Sequence, residues 1–82
     1  MRLVFIWSDG CEICRKTRPE AREVADKKSL EYVEYNINEP ESYNYDIDGI
    51  PTFVWENKDG TVRRRGHGRW GMITAGLIPK HF

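Results

Sequence analysis

The order of apolar patterns predicts an α/β fold, β-α-β-(short α)-β-β-α, on a four-stranded mixed sheet. Three observations predict it. A β-branched and aromatic run, Leu3-Val4-Phe5-Ile6-Trp7, leads directly into a stretch of helical period. Glu31 to Ile37 alternates apolar and polar residues, the period of a half-buried strand. A second apolar run, Ile50 to Glu56, meets Asn57-Lys58-Asp59-Gly60, which reads as a hairpin turn.

Taken in order, the uninterrupted run Leu3–Trp7 predicts β1, buried on both faces. Ser8-Asp9-Gly10 turns the chain, and Asp9 with Glu12 has the spacing of a capping box, which makes Asp9 the expected N-cap of α1. Thr17, Ala21, Val24, Ala25 and the stem of Lys28 form one apolar stripe among charged residues, and Pro19 is expected to kink the helix. In β2, Glu31–Ile37, one face carries Val33, Tyr35 and Ile37 and the other Tyr32, Glu34 and Asn36. Asn38 to Asp48 leaves room for a loop with one or two helical turns. Ile50–Glu56 forms β3, Thr61–Gly66 a polar β4, and Trp70, Ile73, Leu77 and Ile78 a short last helix weakened by Gly71 and Gly76 and ended by Pro79.

A helix between β1 and β2 makes them parallel, with a right-handed crossover. The hairpin makes β3 and β4 antiparallel. The continuous apolar strands belong at the centre and the alternating or Arg-rich ones at the edges, where charge discourages edge pairing. The expected sheet order is β2-β1-β3-β4.

At 82 residues the chain has room for one domain, 1–82. Thirteen Lys and Arg against thirteen Asp and Glu argue against a nucleic-acid-coating protein, which carries a basic excess. An aromatic content of 12% supports a core rather than disorder. No membrane span is expected, because Leu3–Trp7 falls far short of the roughly 20 apolar residues required. Asp9 cuts short any secretory leader, and two cysteines are too few for a secreted disulfide scaffold, so a cytoplasmic location is expected.

The chemistry lies in Cys11-Glu12-Ile13-Cys14, at the start of α1 and just after a central strand. Helical spacing puts the two Cα atoms about 5 Å apart, within disulfide range. Near the helix N-terminus, Cys11 faces unpaired backbone N–H groups that favour its thiolate, and Cys14 is placed to resolve a mixed disulfide. Asp9 and Glu12 oppose that thiolate, whereas Arg15, Lys16 and Arg18 favour it. Three other readings remain: a zinc site that recruits His67 and His81, a purely structural disulfide, and two inert thiols.

With these motifs in register, the chain resembles the thioredoxin/glutaredoxin superfamily over nearly its whole length. Trp7 lies four residues before Cys11 and Pro19 five after Cys14; Asn36-Ile37-Asn38 with Pro40 resembles the loop after the next strand. Tyr45-Asp46-Ile47-Asp48-Gly49-Ile50-Pro51-Thr52 resembles the segment that holds the family's cis-proline. The resemblance implies a minimal thioredoxin fold and a cis Ile50–Pro51 peptide beside the cysteines, with Ile50 offering backbone hydrogen bonds to an extended substrate. It implies a thiol–disulfide oxidoreductase with catalytic Cys11 and Cys14 and a substrate surface of Trp7, Gly10, Glu12, Ile13, Ile50 and Pro51. No metal or organic cofactor is implied beyond the redox disulfide.

The chain departs from the thioredoxin pattern. The first strand and helix of full-length thioredoxins are absent, Gly10 stands where a Trp is usual, and Glu12-Ile13 replaces Gly-Pro. Phe5 occupies the place of a buried acid, leaving Glu12, Asp9 or water as proton acceptors for Cys14. Glutaredoxin is the sister resemblance, with Gly66-His67-Gly68 imitating a glutathione-binding turn and Arg69 meeting a carboxylate. Compact relatives of this kind in phages and prokaryotes supply electrons to ribonucleotide reductase. The partners so implied are a protein disulfide and a reductase or glutathione, with the chain a monomer that binds neither nucleic acid nor membrane. A different class is a binding scaffold whose redox activity is incidental.

Two charge features complete the reading. Arg63-Arg64-Arg65 with Arg69 is a docking patch for an acidic partner or, more simply, a charged edge strand. Six acids and no Lys or Arg lie between residues 31 and 48, either repelling acidic substrates near Ile50 or marking a solvated loop. Tyr43 and Tyr45 rim the site or pack beneath that loop, and His67 is a turn residue rather than a base.

Overall fold

The computed structural model describes residues 1–45, 47 and 49–78. The elements are β1 (Arg2–Trp7), α1 (Glu12–Lys27), β2 (Glu31–Asn36), a 3-10 helix (Pro40–Asn44), β3 (Thr52–Glu56), β4 (Val62–His67) and α2 (Gly71–Thr74). The sheet runs β2-β1-β3-β4, with β1 parallel to β2 and antiparallel to β3, and β4 antiparallel to β3. This is the expected order. β3 begins at Thr52 rather than Ile50 because Pro51 has no N–H for the ladder.

β1 is covered on both sides. Leu3 and Phe5 pack with Phe53, Ala21, Ala25, Met72, Ala75 and Leu77 beneath the two helices. Val4 and Ile6 join Val54 on the other face under Tyr35, Ile37, Tyr45, Ile47 and Ile50. No long helix covers that second face among the described residues; the segment after β2 does so as a strap. Ser42, wholly buried, ties the strap down by donating to the carbonyls of Ile37 and Glu39. Tyr45 thus packs beneath the strap, whereas Tyr43 is 75% exposed.

The buried stripe of α1 is Cys14, Thr17, Ala21 and Ala25, and the Thr17 hydroxyl is satisfied by the Ile13 carbonyl at 2.7 Å. Val24 is only partly buried, and Lys28 is the C-cap with its ammonium 5.6 Å from the Trp55 ring centroid. The helix continues through Pro19, which lies on its exposed side, because the opposite face is anchored to the sheet. α2 is shorter than the expected Trp70–Ile78 helix. Gly76, at φ +76°, ends it in a Schellman motif, with Leu77 N–H donating to Met72 and Gly76 N–H to Ile73. Pro79, the expected terminator, lies outside the described residues.

Two glycines set how closely α2 approaches the sheet. A Cβ on Gly66 would overlap the Gly71 carbonyl oxygen, and one on Gly71 would overlap the Phe53 ring. Opposite them, Trp55 pairs with Arg64 and Glu56 with Val62, so Arg63 is an extra residue at a bulge. The Arg63 guanidinium lies 4.7 Å from the Trp55 ring centroid. The arginine run is therefore a charged edge strand that also packs on Trp55 by way of Arg63.

A polar network closes the far end of the sheet. Glu56 is 5% exposed and accepts from the Arg2 guanidinium and, at 2.6 Å, from the Tyr45 hydroxyl. Burial, then the bond to Glu56, raises the Tyr45 pKa. Burial likewise raises that of Tyr32, whose hydroxyl donates to Glu34 at 2.7 Å.

Two predictions follow from this packing. Gly66→Ala lowers stability by about 1–3 kcal/mol or more, read from the urea midpoint, because backbone rather than a movable side chain occupies the space. Alkali is the second stress. Unfolded tyrosine ionises near pH ~10, while folded Tyr32 and Tyr45 keep their protons to higher pH. Deprotonation therefore favours the unfolded chain, so stability holds below about pH 10 and falls above it. Urea unfolding across that range checks the slope, which Tyr32→Phe should make shallower.

Candidate active site

The thiol pair sits at the C-terminal end of β1, where an α/β sheet exposes the crevice that binds ligands. Ser8 to Cys11 forms a turn closed by Cys11 N–H donating to the Ser8 carbonyl at 3.4 Å. Gly10 takes φ +78° there, a left-handed conformation that a side chain would strain. That turn delays entry into the helix, so Glu12 is the first helical residue and Cys11, not Asp9, is the N-cap. Cys11 Sγ accepts the Cys14 N–H at 3.1 Å. Once reduced, the same sulfur has a backbone donor and the positive end of α1 in place, which favour the thiolate. Asp9 is exposed and forms no cap.

Cys11 and Cys14 are joined in a disulfide with Cα atoms 5.2 Å apart. Their environments differ: Cys14 is 3% exposed within the core cluster, while Cys11 is half-buried at its margin. This asymmetry is the one a reaction needs if one sulfur meets the substrate and the other waits behind it. A cleft of about 260 Å³, lined by Trp7, Ser8, Asp9, Gly10, Arg15 and Arg18, opens beside both sulfurs. Across the start of α1, Glu12 and Ile13 line a second groove of about 400 Å³ with Lys16, Arg69, Trp70 and Ile73 among its walls. A larger concavity, about 540 Å³, opens over Arg2, Tyr45 and Glu56 and contains neither cysteine.

The Ile50–Pro51 peptide is cis. Ile50 packs on the apolar cluster that holds Cys14 and on which Cys11 rests, and Pro51 is buried. Gly68, at φ +77°, turns the chain after β4 so that its N–H reaches the Pro51 carbonyl at 2.8 Å. His67, exposed, lies beside Gly49 and pairs with Thr52, outside both grooves. Gly66 departs from its expected place in a substrate-facing turn. It belongs to β4 and is buried against Gly71, so its role is close packing. Phe5 is wholly buried 5.3 Å from the Phe53 ring, which leaves an apolar wall at that position.

Among the described residues no group of three His, Cys, Asp or Glu side chains could hold a metal ion. His81 lies outside them. No helix among them is long and apolar enough to cross a membrane. Sequence analysis missed Trp70 as a groove wall, and Arg18 figured there only as a nearby charge. Arg18 follows Cys14 by one helical turn, so the i, i+4 spacing carried the signal for its position beside the thiols.

Comparison of the whole structure with solved proteins matches thioredoxins repeatedly. A thioredoxin from Fasciola hepatica superposes with TM-score 0.68 at 27% identity, over 83% of this chain and 69% of that one. The chain is thioredoxin-like. Thioredoxin 1 from Thermosipho africanus gives TM-score 0.68 at 18% identity, over 83% of this chain and 78% of that one. A chain from a complex of ferredoxin:thioredoxin reductase with thioredoxin f2 gives 0.70 at 20% identity, over 82% and 64%. No family model and no curated protein sequence matches. The thioredoxin-like fold and the paired cysteines at disulfide distance together support a thiol–disulfide oxidoreductase.

The unequal burial of the sulfurs makes a checkable prediction for this thioredoxin-like site. In the reduced protein, iodoacetamide alkylates Cys11 well before Cys14, as peptide mass mapping over a time course would record. Equal rates would remove the distinction between attacking and resolving thiol.

Proposed function

We propose that the chain is a dithiol reductant of protein disulfides. The observation that carries this reading is Cys11 at the N-cap of α1, half-exposed and accepting the Cys14 N–H, with Cys14 buried one turn behind. Cys11 thiolate attacks one sulfur of a substrate disulfide, forming a Cys11–substrate disulfide and releasing the other sulfur, which takes a proton. Cys14 gives up its proton and attacks Cys11 Sγ. The Cys11–Cys14 disulfide forms and the second substrate thiol leaves. Two electrons and two protons have passed to the substrate, and a reductase dithiol or glutathione must return them before the next turn.

Trp7 and Gly10 shape the surface beside the attacking sulfur, Glu12 and Ile13 the far side of the helix start. Ile50 presents its backbone to an extended substrate, with Pro51 holding that loop. His67 borders the loop from β4. A reductase partner is supported by the neighbour crystallised with ferredoxin:thioredoxin reductase. Supply of electrons to ribonucleotide reductase is one assignment for such a compact reductant, and the cytoplasm is the compartment in which a dithiol stays reduced. Against the glutaredoxin alternative stands Gly66, buried where a glutathione-binding turn would need it open.

Titration through a glutathione redox buffer, read by intact mass, tests the proposal. The expected result is a loss of two hydrogens on oxidation with no lasting glutathione adduct, and a trapped substrate on Cys11 in Cys14→Ser. A persistent adduct on Cys11 would move the assignment to glutathione-dependent chemistry. Failure to form the intramolecular disulfide at any poise overturns both, and retained biological function in Cys11→Ser would point to a scaffold.

A further inference from the structure

Arg18 is fastened on two sides beside the thiol cleft. Its guanidinium carbon lies 4.3 Å from the centroid of the Trp7 ring, and its Nε meets Glu34 Oε2 at 3.2 Å. The same carboxylate oxygen meets Arg22 Nη2 at 3.3 Å and accepts the Tyr32 hydroxyl at 2.7 Å. One carboxylate thus faces two guanidiniums, so the cluster retains a unit of positive charge. Stacking and pairing restrict the long Arg18 side chain before any ligand arrives, which lowers the ordering cost of using it.

Arg18 lines the 260 Å³ cleft with both cysteines, and there its side chain and Arg15 face a single acid, Asp9. Glu34 reaches Arg18 from outside the cleft but shares its charge with Arg22, so with Arg15 set against Asp9 the cleft keeps a positive balance and attracts an anion rather than repelling one. A planar guanidinium beside a sulfur that attacks disulfides recognises a carboxylate carried next to the disulfide. We propose that Arg18 is a specificity-determining residue that receives a substrate carboxylate flanking the bond attacked by Cys11. Glu34 and Trp7 position it. The inference rests on the dithiol reading above and names the substrate class of that site. The carboxylate belongs to an acidic protein segment or to glutathione itself, and the two are separable.

The test compares kcat/KM for two disulfide-linked peptides that differ only in Glu against Gln beside the cysteine, with glutathione disulfide as a third substrate. Wild-type protein is expected to favour the Glu peptide by about two- to fivefold, the range of partly exposed ion pairs. In Arg18→Gln that ratio falls toward one, chiefly through KM. Arg22→Gln, which shares Glu34 but does not line the cleft, keeps it. A loss in Arg18→Gln seen with the Glu peptide assigns the carboxylate to protein substrates; a loss confined to glutathione disulfide assigns it to glutathione. An unchanged ratio in Arg18→Gln with no loss on glutathione disulfide overturns the proposal, as does an equal fall in Arg22→Gln, which would mean diffuse surface charge. If wild-type protein reduces none of the three, the dithiol reading itself fails and takes this one with it.

Discussion

Leu3 to Ile6 are removed from water on both faces of the sheet, and each remaining part of the molecule is placed by the need to cover one side or the other. On one side α1 and α2 lay small and apolar residues against Leu3 and Phe5; on the other a strap without a long helix covers Val4 and Ile6. A strand so enclosed is rigid, because interior side chains close-pack and transmit displacement. Its C-terminal end is therefore a fixed point, and the chain leaves it through a four-residue turn straight into α1. The thiols are held where the sheet ends and the helix begins.

That junction couples folding to chemistry through one hydrogen bond. The N-terminus of a helix leaves backbone N–H groups without partners, and here a sulfur takes one of them. Had Asp9 capped the helix, its carboxylate would take the free N–H groups of the first turn and the sulfur would lose its donor. The left-handed Gly10 moves the cap by two residues, from Asp9 to Cys11. The conformational freedom of one glycine thus decides which side chain receives the helix's favourable field.

Two polar clusters on opposite faces of the sheet show how context changes the role of the same residue types. Glu56 is nearly buried and accepts from Arg2 and Tyr45, so loss of either donor leaves a buried carboxylate oxygen without its partner, and that cluster belongs to stability. Glu34, Arg18, Arg22 and Tyr32 lie nearer the surface, where such pairs contribute little to folding. What the second cluster contributes is orientation, because it holds a cation against Trp7 at the edge of the thiol cleft.

Strand order, the parallel β1–β2 and antiparallel β3–β4 pairings and the location of the thiols at the start of a helix were legible in the sequence, because each follows from apolar periodicity, from the helix between the first two strands or from the short turn between the last two. The apolar period of β1 and the Cys11–Cys14 spacing depend on neighbours within one or two turns. What tertiary structure alone decided depends on groups distant along the chain. Gly66 became a packing residue because Gly71 crosses it, and Gly76 ended the last helix because the turn toward Leu77 required a left-handed residue. Arg18 was placed beside the thiols by its helical spacing, but its hold on Trp7 came from a carboxylate on the neighbouring β2. Periodicity specifies which face a residue is on; which partner waits there is settled only when strands from different parts of the chain lie side by side.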